Sequence, residues 1–312
     1  MSLTVRRFLD TGRTSLALEV ECGEDFLDNE IPEEALNRPG LALAGFFKYF
    51  AFRRLQVFGL AETAYLQSLP AAERMKRLRQ MFSQRVPGVV VTRQRHAMPE
   101  MVKLSREFRI PVLRSPLITG RFMNAATLMV DTLTAPRTRV HATMVDIMGV
   151  GVILEGEPGI GKSETALALI ERGHSLVADD ITVLRRSQNE LLASAVDITR
   201  YHMEIRGLGI IHVPSLFGVS ALRGETRVDL IIRLQRPDPS FEQDRSGLTD
   251  KHREVLGINL PLIELPVAAG RDLAHVVEVA ALNQRLKELG HDAAKELNDK
   301  LISRLTSKAT GT

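Results

Sequence analysis

A single cysteine, Cys22, in 312 residues excludes an intrachain disulfide and any zinc cluster built on cysteines. That usage fits a reducing compartment, and the expected location is cytoplasmic. Net charge is equally scarce, at +3 with histidine neutral. So small an excess gives no general attraction for nucleic acid or an acidic membrane, and neither is expected as a partner. Long apolar runs are also missing. The longest uncharged ones, 40–47 and 147–154, fall well short of the ~20 residues that span a bilayer. Residues 1–10 set Arg6 and Arg7 beside a broken apolar pattern, unlike a secretory leader. A soluble protein is expected. No repeat of solenoid length and no low-complexity segment is present.

What is there is ordinary globular material, 44% hydrophobic and 25% charged, enough for a buried core. The length suggests two domains, and we expect an α/β fold divided into 1–131 and 132–312. Segments 88–92 and 110–114 read as strands. Between them 99–108 has Met101, Val102, Leu104 and Phe108 at helical spacing, which makes a βαβ unit with parallel strands. Segments 46–60 and 61–82 read as helices with Arg53, Arg54, Arg74, Lys76 and Arg77 on wet faces. No catalytic pattern occurs in this half. Residues 132–139 lack apolar periodicity, contain Pro136 and read as the junction. Near the end, 273–305 reads as helix broken at Gly290, with a stripe formed by Val276, Val277, Ala280, Leu282, Leu286 and Leu289 and continued by Leu297, Leu301 and Leu305. Packing on the domain and contact with another protein both suit that stripe. The last residues, 307–312, read as loose.

The informative segment is Gly156-Glu157-Pro158-Gly159-Ile160-Gly161-Lys162-Ser163, which fits G-x-x-x-x-G-K-[ST]. Its context matters as much as its letters: 150–154 before it reads as a buried strand and 164–172 after it as a helix. Glycines let successive backbone N–H groups converge on phosphate oxygens, and the helix N-terminus adds a favourable dipole. Lys162 suits the β- and γ-phosphates, and the Ser163 hydroxyl suits magnesium.

Next, Leu176-Val177-Ala178-Asp179-Asp180 reads as a strand ending in two carboxylates, where α/β sheets place ligands. One carboxylate can orient magnesium and the other can take a proton from an attacking hydroxyl. Alternatively, Asp180 caps a turn before the strand-like 181–184. His141, ahead of a strand at 144–148, is either catalytic or structural. Glu204 is either a magnesium ligand or an ion-pair partner of Arg206. Arg245 and Arg271, in loop-like segments, are either phosphoryl-stabilising or solvated. On residues alone, a protein kinase, a small-molecule P-loop kinase and a catalytically silent nucleotide sensor all remain open.

Taken together, these segments resemble the bacterial HPr kinase/phosphorylase family. The phosphate loop with Ser163-Glu164-Thr165-Ala166-Leu167, then Val177-Ala178-Asp179-Asp180, then Glu204-Ile205-Arg206-Gly207-Leu208-Gly209 stand in the family's order and near its spacing. The resemblance implies two domains, the second a P-loop kinase related in fold to phosphoenolpyruvate carboxykinase, assembled as a homohexamer. It implies phosphorylation of a serine of HPr or an HPr-like phosphocarrier with ATP and Mg2+. The reverse reaction uses inorganic phosphate and releases pyrophosphate, and the pair regulates the bacterial phosphotransferase system. Carried over, Lys162 and the loop hold phosphates, and Ser163 and Glu204 bind Mg2+. Asp180, with Asp179 beside it, is proton acceptor and donor, and His141 and Arg245 match the other active positions. The segment Glu204, Ile205, Arg206, Gly207, Leu208, Gly209, Ile210, Ile211, His212, Val213 serves both directions. The segment Pro266, Val267, Ala268, Ala269, Gly270, Arg271 serves chiefly dephosphorylation. Four letters depart from common relatives: Glu157-Pro158 replaces Asp-Ser, His212 replaces Asn and Ser246 replaces Leu. The loop change leaves the backbone cradle and Lys162 intact.

Overall fold

The computed structural model describes residues 2–237, 251–268 and 270–309, with side chains described to 303. Arg245 and Ala269 therefore lie outside the described residues. The chain forms two compact units, Met1–Ala135 and Pro136–Thr312. The division follows directly on a helix that runs to Thr134.

In the first unit the elements are α1 (Val5–Ser15), β1 (Glu19–Cys22), β2 (Leu36–Asn37), α2 (Gly40–Leu43), β3 (Leu55–Phe58), α3 (Leu60–Ser68), α4 (Ala71–Phe82), β4 (Val89–Val91), α5 (Pro99–Phe108), β5 (Val112–Arg114) and α6 (Thr119–Thr134). The five-stranded sheet has order β1-β5-β4-β3-β2, parallel except for β1. Side chains alternate across it as strand geometry requires. Val57, Val90 and Leu113 pack with α1 and α6, whereas Phe58, Val89, Val91 and Val112 pack with α3, α4 and α5.

Two sequence expectations fail here. Segment 46–60 is not a helix: it is irregular until β3, whose buried Gln56 donates to the Ala51 and Arg54 carbonyls. Segment 61–82 is two helices, since Pro70 lacks the N–H that would carry one through. Nor is Arg74 merely solvated, as it pairs with the largely buried Glu100 at 2.6 Å.

The second unit contains β6 (Arg137–His141), β7 (Thr143–Ile147), β8 (Val150–Glu155), α7 (Lys162–Glu171), β9 (Ser175–Ala178), β10 (Ile181–Ser187), β11 (Glu190–Ala195), β12 (His202–Ile205), β13 (Gly209–His212), α8 (Val213–Phe217), β14 (Thr226–Arg227), β15 (Leu230–Gln235), β16 (Lys251–Val255), β17 (Ile258–Pro266), α9 (Leu273–Glu288) and α10 (Ala293–Ala309). A six-stranded sheet, β16-β17-β15-β8-β7-β9, has parallel strands β17, β15 and β8 at its centre. One face packs on α7 and α9 through Val152, Leu154, Ile232, Leu169 and Val277. The other packs on a four-stranded sheet, β14-β11-β10-β6, through Met144, Ile153, Ile231, Leu184 and Ala193.

The first three residues of β6 fall in the expected 132–139 junction, because Arg, Thr and Arg give an edge strand little apolar signature. The C-terminal stripe divides. Val277 is buried, whereas Leu282, Leu286, Leu289, Leu297 and Leu301 are exposed. Of the segment 307–312 read as loose, residues 307–309 are the end of α10 and 310–312 lie outside the described residues.

Gly151 shows how tightly the central strand is held. A Cβ there would lie 1.8 Å from the Arg227 carbonyl oxygen, and its N–H donates to Asp229 Oδ2 at 2.7 Å. Gly151→Ala is expected to destabilise the protein by about 3 kcal/mol, the upper end for an overpacked core. Urea unfolding would show a lower midpoint with unchanged slope.

Candidate functional site

Parallel strands β8, β15 and β17 end at one edge of the sheet, and three connections leave from it. These are the glycine-rich loop after Glu155, the connection that begins after Gln235, and the one that begins after Pro266. Open α/β sheets bind ligands at such a carboxyl edge. In the loop, Gly159 and Gly161 have φ of +75° and +107°, conformations that glycine adopts without strain. Gly156 passes so close to β15 that a Cβ would meet the Leu234 carbonyl oxygen at 2.5 Å. Lys162 opens α7, and its Nζ donates to the Gly156 and Glu157 carbonyls at 3.0 and 3.1 Å. The Arg206 guanidinium lies against the loop, with Nη2 3.0 Å from where a Gly159 Cβ would stand.

The adjacent carboxylates sit in opposite environments. Asp179 is buried and accepts from three donors: the Ser163 hydroxyl at 2.9 Å, the Thr143 hydroxyl at 2.8 Å and the Glu204 N–H at 3.2 Å. It ties the phosphate loop, β7 and β12 together.

Asp180 is exposed. It sits at φ +61° between β9 and β10, and the Ile181 N–H spans it to the Asp179 carbonyl at 2.7 Å. A turn of that kind at a non-glycine residue is strained, and strain of this sort concentrates at functional sites. The cause is topological. The chain passes from one sheet to the other at Asp180, and passes the opposite way at Ala142. The Ala142 N–H donates to the Asp180 carbonyl at 3.0 Å, and His141 pairs in register with Ile181. This double crossing brings His141 Nδ1 to 4.0 Å from Asp180 Oδ1, both side chains facing solvent.

Lys162, Ser163, Asp179, Asp180, Glu204 and Arg206 line one cleft of about 420 Å³. Glu204 makes no ion pair with Arg206 among the described residues, which leaves its carboxylate available to the cleft. Pro266, Val267, Ala268, Gly270 and Arg271 stand at the same sheet edge without lining it. Thr143 and Glu164 were not singled out from sequence. Thr143 gives no sequence signal, since its partner Asp179 is 36 residues away.

Such an arrangement can serve phosphoryl transfer. Residues 132–301 match the family model described as HPr Serine kinase C-terminal domain, and residues 3–129 match HPr Serine kinase N terminus. This chain belongs to the HPr serine kinase family. Similar relatives named HPr kinase/phosphorylase come from Caldicellulosiruptor bescii, 40% identical over 96% of this chain and 97% of the relative. Another, from Chloroherpeton thalassium, is 40% identical over 99% and 92%. The solved Hpr(Ser) kinase/phosphatase of Coxiella burnetii is 38% identical and covers 48% of this chain and 98% of that one, with a TM-score of 0.45.

Beneath the loop of this HPr serine kinase family member runs a ladder of ion pairs. Glu155, the last residue of β8, meets Arg253 and, at 3.6 Å, Arg233. Glu264 meets Arg233 at 3.3 Å and Lys251 at 2.6 Å. The Lys251 ammonium, joined by Arg233, holds the Glu264 carboxyl below the usual carboxylate range. A depressed carboxyl stabilises the fold above its unfolded pKa of ~4.3, and that contribution disappears as pH falls through the lower folded value. Glu264→Gln is therefore expected to flatten the loss of stability on acidification below pH ~4. Urea unfolding at neutral and acid pH measures the difference.

Proposed function

We propose that this chain is a bifunctional HPr kinase/phosphorylase, and that one cleft runs both directions. In the forward direction the glycine-rich loop amides and Lys162 hold the phosphates of ATP. The serine hydroxyl oxygen of HPr forms a bond to the γ-phosphorus as the bond to the β–γ bridging oxygen breaks and ADP leaves. Asp180 takes the hydroxyl proton.

In reverse, an oxygen of inorganic phosphate attacks the phosphoserine phosphorus. The serine oxygen departs with the proton returned by Asp180, and pyrophosphate is released. Phosphorolysis is not the strict reverse of transfer from ATP, but inorganic phosphate takes the place of the ADP β-phosphate, so one in-line geometry at the serine oxygen gives the same carboxylate both tasks. His141 borders Asp180, and Arg245 is assigned the stabilisation of phosphoryl charge on the resemblance alone.

The donor set suits magnesium, which takes oxygen ligands: the Ser163 hydroxyl and the carboxylates of Asp179 and Glu204. Among the described residues no three His, Cys, Asp or Glu side chains enclose an ion. Magnesium commonly binds through one or two carboxylates plus substrate phosphates, so an open set fits it. When bound, it supplies neutralisation of phosphate charge. Asp179 keeps the Ser163 hydroxyl and the Glu204 backbone in place for this. The family also points to a homohexamer, which sedimentation would measure. No helix of the described residues is long and apolar enough to cross a membrane.

The observation that carries this reading is the division of labour within one cleft. A buried Asp179 is bound to the phosphate loop, and an exposed Asp180 stands where a protein hydroxyl can reach it. Incubation with ATP, Mg2+ and HPr should yield phosphoserine on HPr. Phospho-HPr with inorganic phosphate should then release pyrophosphate. ATP turnover on small molecules alone, or nucleotide binding without turnover, would overturn the reading.

A further inference from the structure

We propose that His202 and His212 form a two-imidazole site for a transition-metal ion of the zinc, nickel or copper class. The site lies at the open end of the β12–β13 hairpin, two residues along the same face from Glu204, and neither histidine lines the cleft that handles phosphate. The two residues are direct cross-strand partners, and their rings lie 5.0 Å apart between centroids at a 46° tilt. An imidazole nitrogen ligates at ~2.0–2.1 Å, which puts the ion about 3.2 Å from each ring centre; bond angles of ~90–109° then require centroids about 4.5–5.2 Å apart. The observed spacing falls inside that window.

Strand alternation supplies the orientation. Met203 and Ile211, on the intervening rung, are buried in the core, so the imidazoles occupy the opposite, solvent-facing side. Each ring also has an oxygen at Nδ1. His202 Nδ1 lies 3.0 Å from the Arg200 carbonyl, and His212 Nδ1 lies 2.6 Å from Ser215 Oγ. A carbonyl can only accept, so this contact places the proton of a neutral His202 ring on Nδ1 and leaves Nε2 as the ligating nitrogen. Ser215 Oγ can accept from His212 in the same way. Fixing the ligand tautomer through the second ring nitrogen is the usual outer-shell arrangement of metal-binding histidines.

Donor chemistry separates this pair from the magnesium ligands. Nitrogen donors select zinc, nickel and copper, whereas Mg2+ takes oxygen. Neither histidine lines the phosphate cleft. Water completes the coordination shell, since no third His, Cys, Asp or Glu joins the pair among the described residues. Such an ion would be exchangeable. It would staple the two strands whose other end carries Glu204, Ile205 and the Arg206 turn.

The test uses the full chain, stripped of metal and free of nucleotide, titrated calorimetrically with Ni2+ in millimolar Mg2+. One equivalent should disappear in His202→Gln and in His212→Asn and persist in His141→Gln, while Ser215→Ala weakens it by about 10–100-fold. Urea midpoints of the metal-free variants report whether each is folded. Cu2+ electron paramagnetic resonance of the unaltered chain should show two coordinated nitrogens. Unchanged isotherms in both folded variants, loss that follows His141→Gln instead, or fewer than two nitrogens on copper would overturn the site.

Discussion

Asp180→Asn is expected to lower turnover with ATP and HPr by about 10²- to 10⁴-fold, the range for losing a positioned general base. Nucleotide affinity should barely change. The Asp180 side chain is exposed and, among the described residues, makes no hydrogen bond or ion pair with the glycine-rich loop, whose own bonds run to Lys162 and through Ser163 to Asp179. Phosphorolysis of phospho-HPr should fall by a similar factor, because the departing serine oxygen needs a proton at the same place where the attacking one gives it up. Steady-state rates in both directions, with a separate nucleotide titration, make the comparison. A variant slowed in one direction alone would remove Asp180 from the proton-transfer role.

Lys162→Ala should give the contrasting signature. Its ammonium is the cation of the loop itself, resting on the Gly156 and Glu157 carbonyls at 3.0 and 3.1 Å. Phosphate oxygens replace those carbonyls as partners. Losing one preorganised charge-stabilising donor costs about 10²- to 10³-fold in rate. Because the same contact serves bound ATP, affinity should weaken together with rate. Folding stability should change little, since water can satisfy the two carbonyls at this open surface. Fluorescent-nucleotide titration with single-turnover phosphorylation separates the two effects, and full activity with weakened binding would confine Lys162 to ground-state contact.

What the sequence made legible was local chemistry. The glycine-rich loop declares itself because its work is done by successive backbone amides, and the strand before it and helix after it are short-range patterns. The β4–α5–β5 unit was readable for the same reason. Asp179 and Asp180 were visible as a pair but not as a division of labour. Their difference depends on Thr143, Ser163 and Glu204 converging from distant positions on one carboxylate, and on a sheet-to-sheet crossing that turns the other outward.

Strand β3 was hidden behind Phe46, Phe47 and Phe50, whose spacing imitates a helix, and behind Gln56, a polar residue with 0% exposure whose amide is satisfied by nearby carbonyls. Strand β6 was hidden by its arginines. A half-exposed edge needs few apolar residues, so periodicity has nothing to detect.

The double crossing at Ala142 and Asp180 has a mechanical corollary. The phosphate cradle grows from the six-stranded sheet, whereas His141 ends a strand of the four-stranded one and Asp180 sits at the seam. Sliding one layer over the other, across the apolar contact of Ile153 and Ile231 with Leu184 and Ala193, would change the reach of the acid, whereas Asp179, bonded to Ser163 and Thr143, stays with the sheet that carries the cradle. Tightness of hold and speed of transfer can thus be tuned apart, by side chains that touch neither nucleotide nor serine.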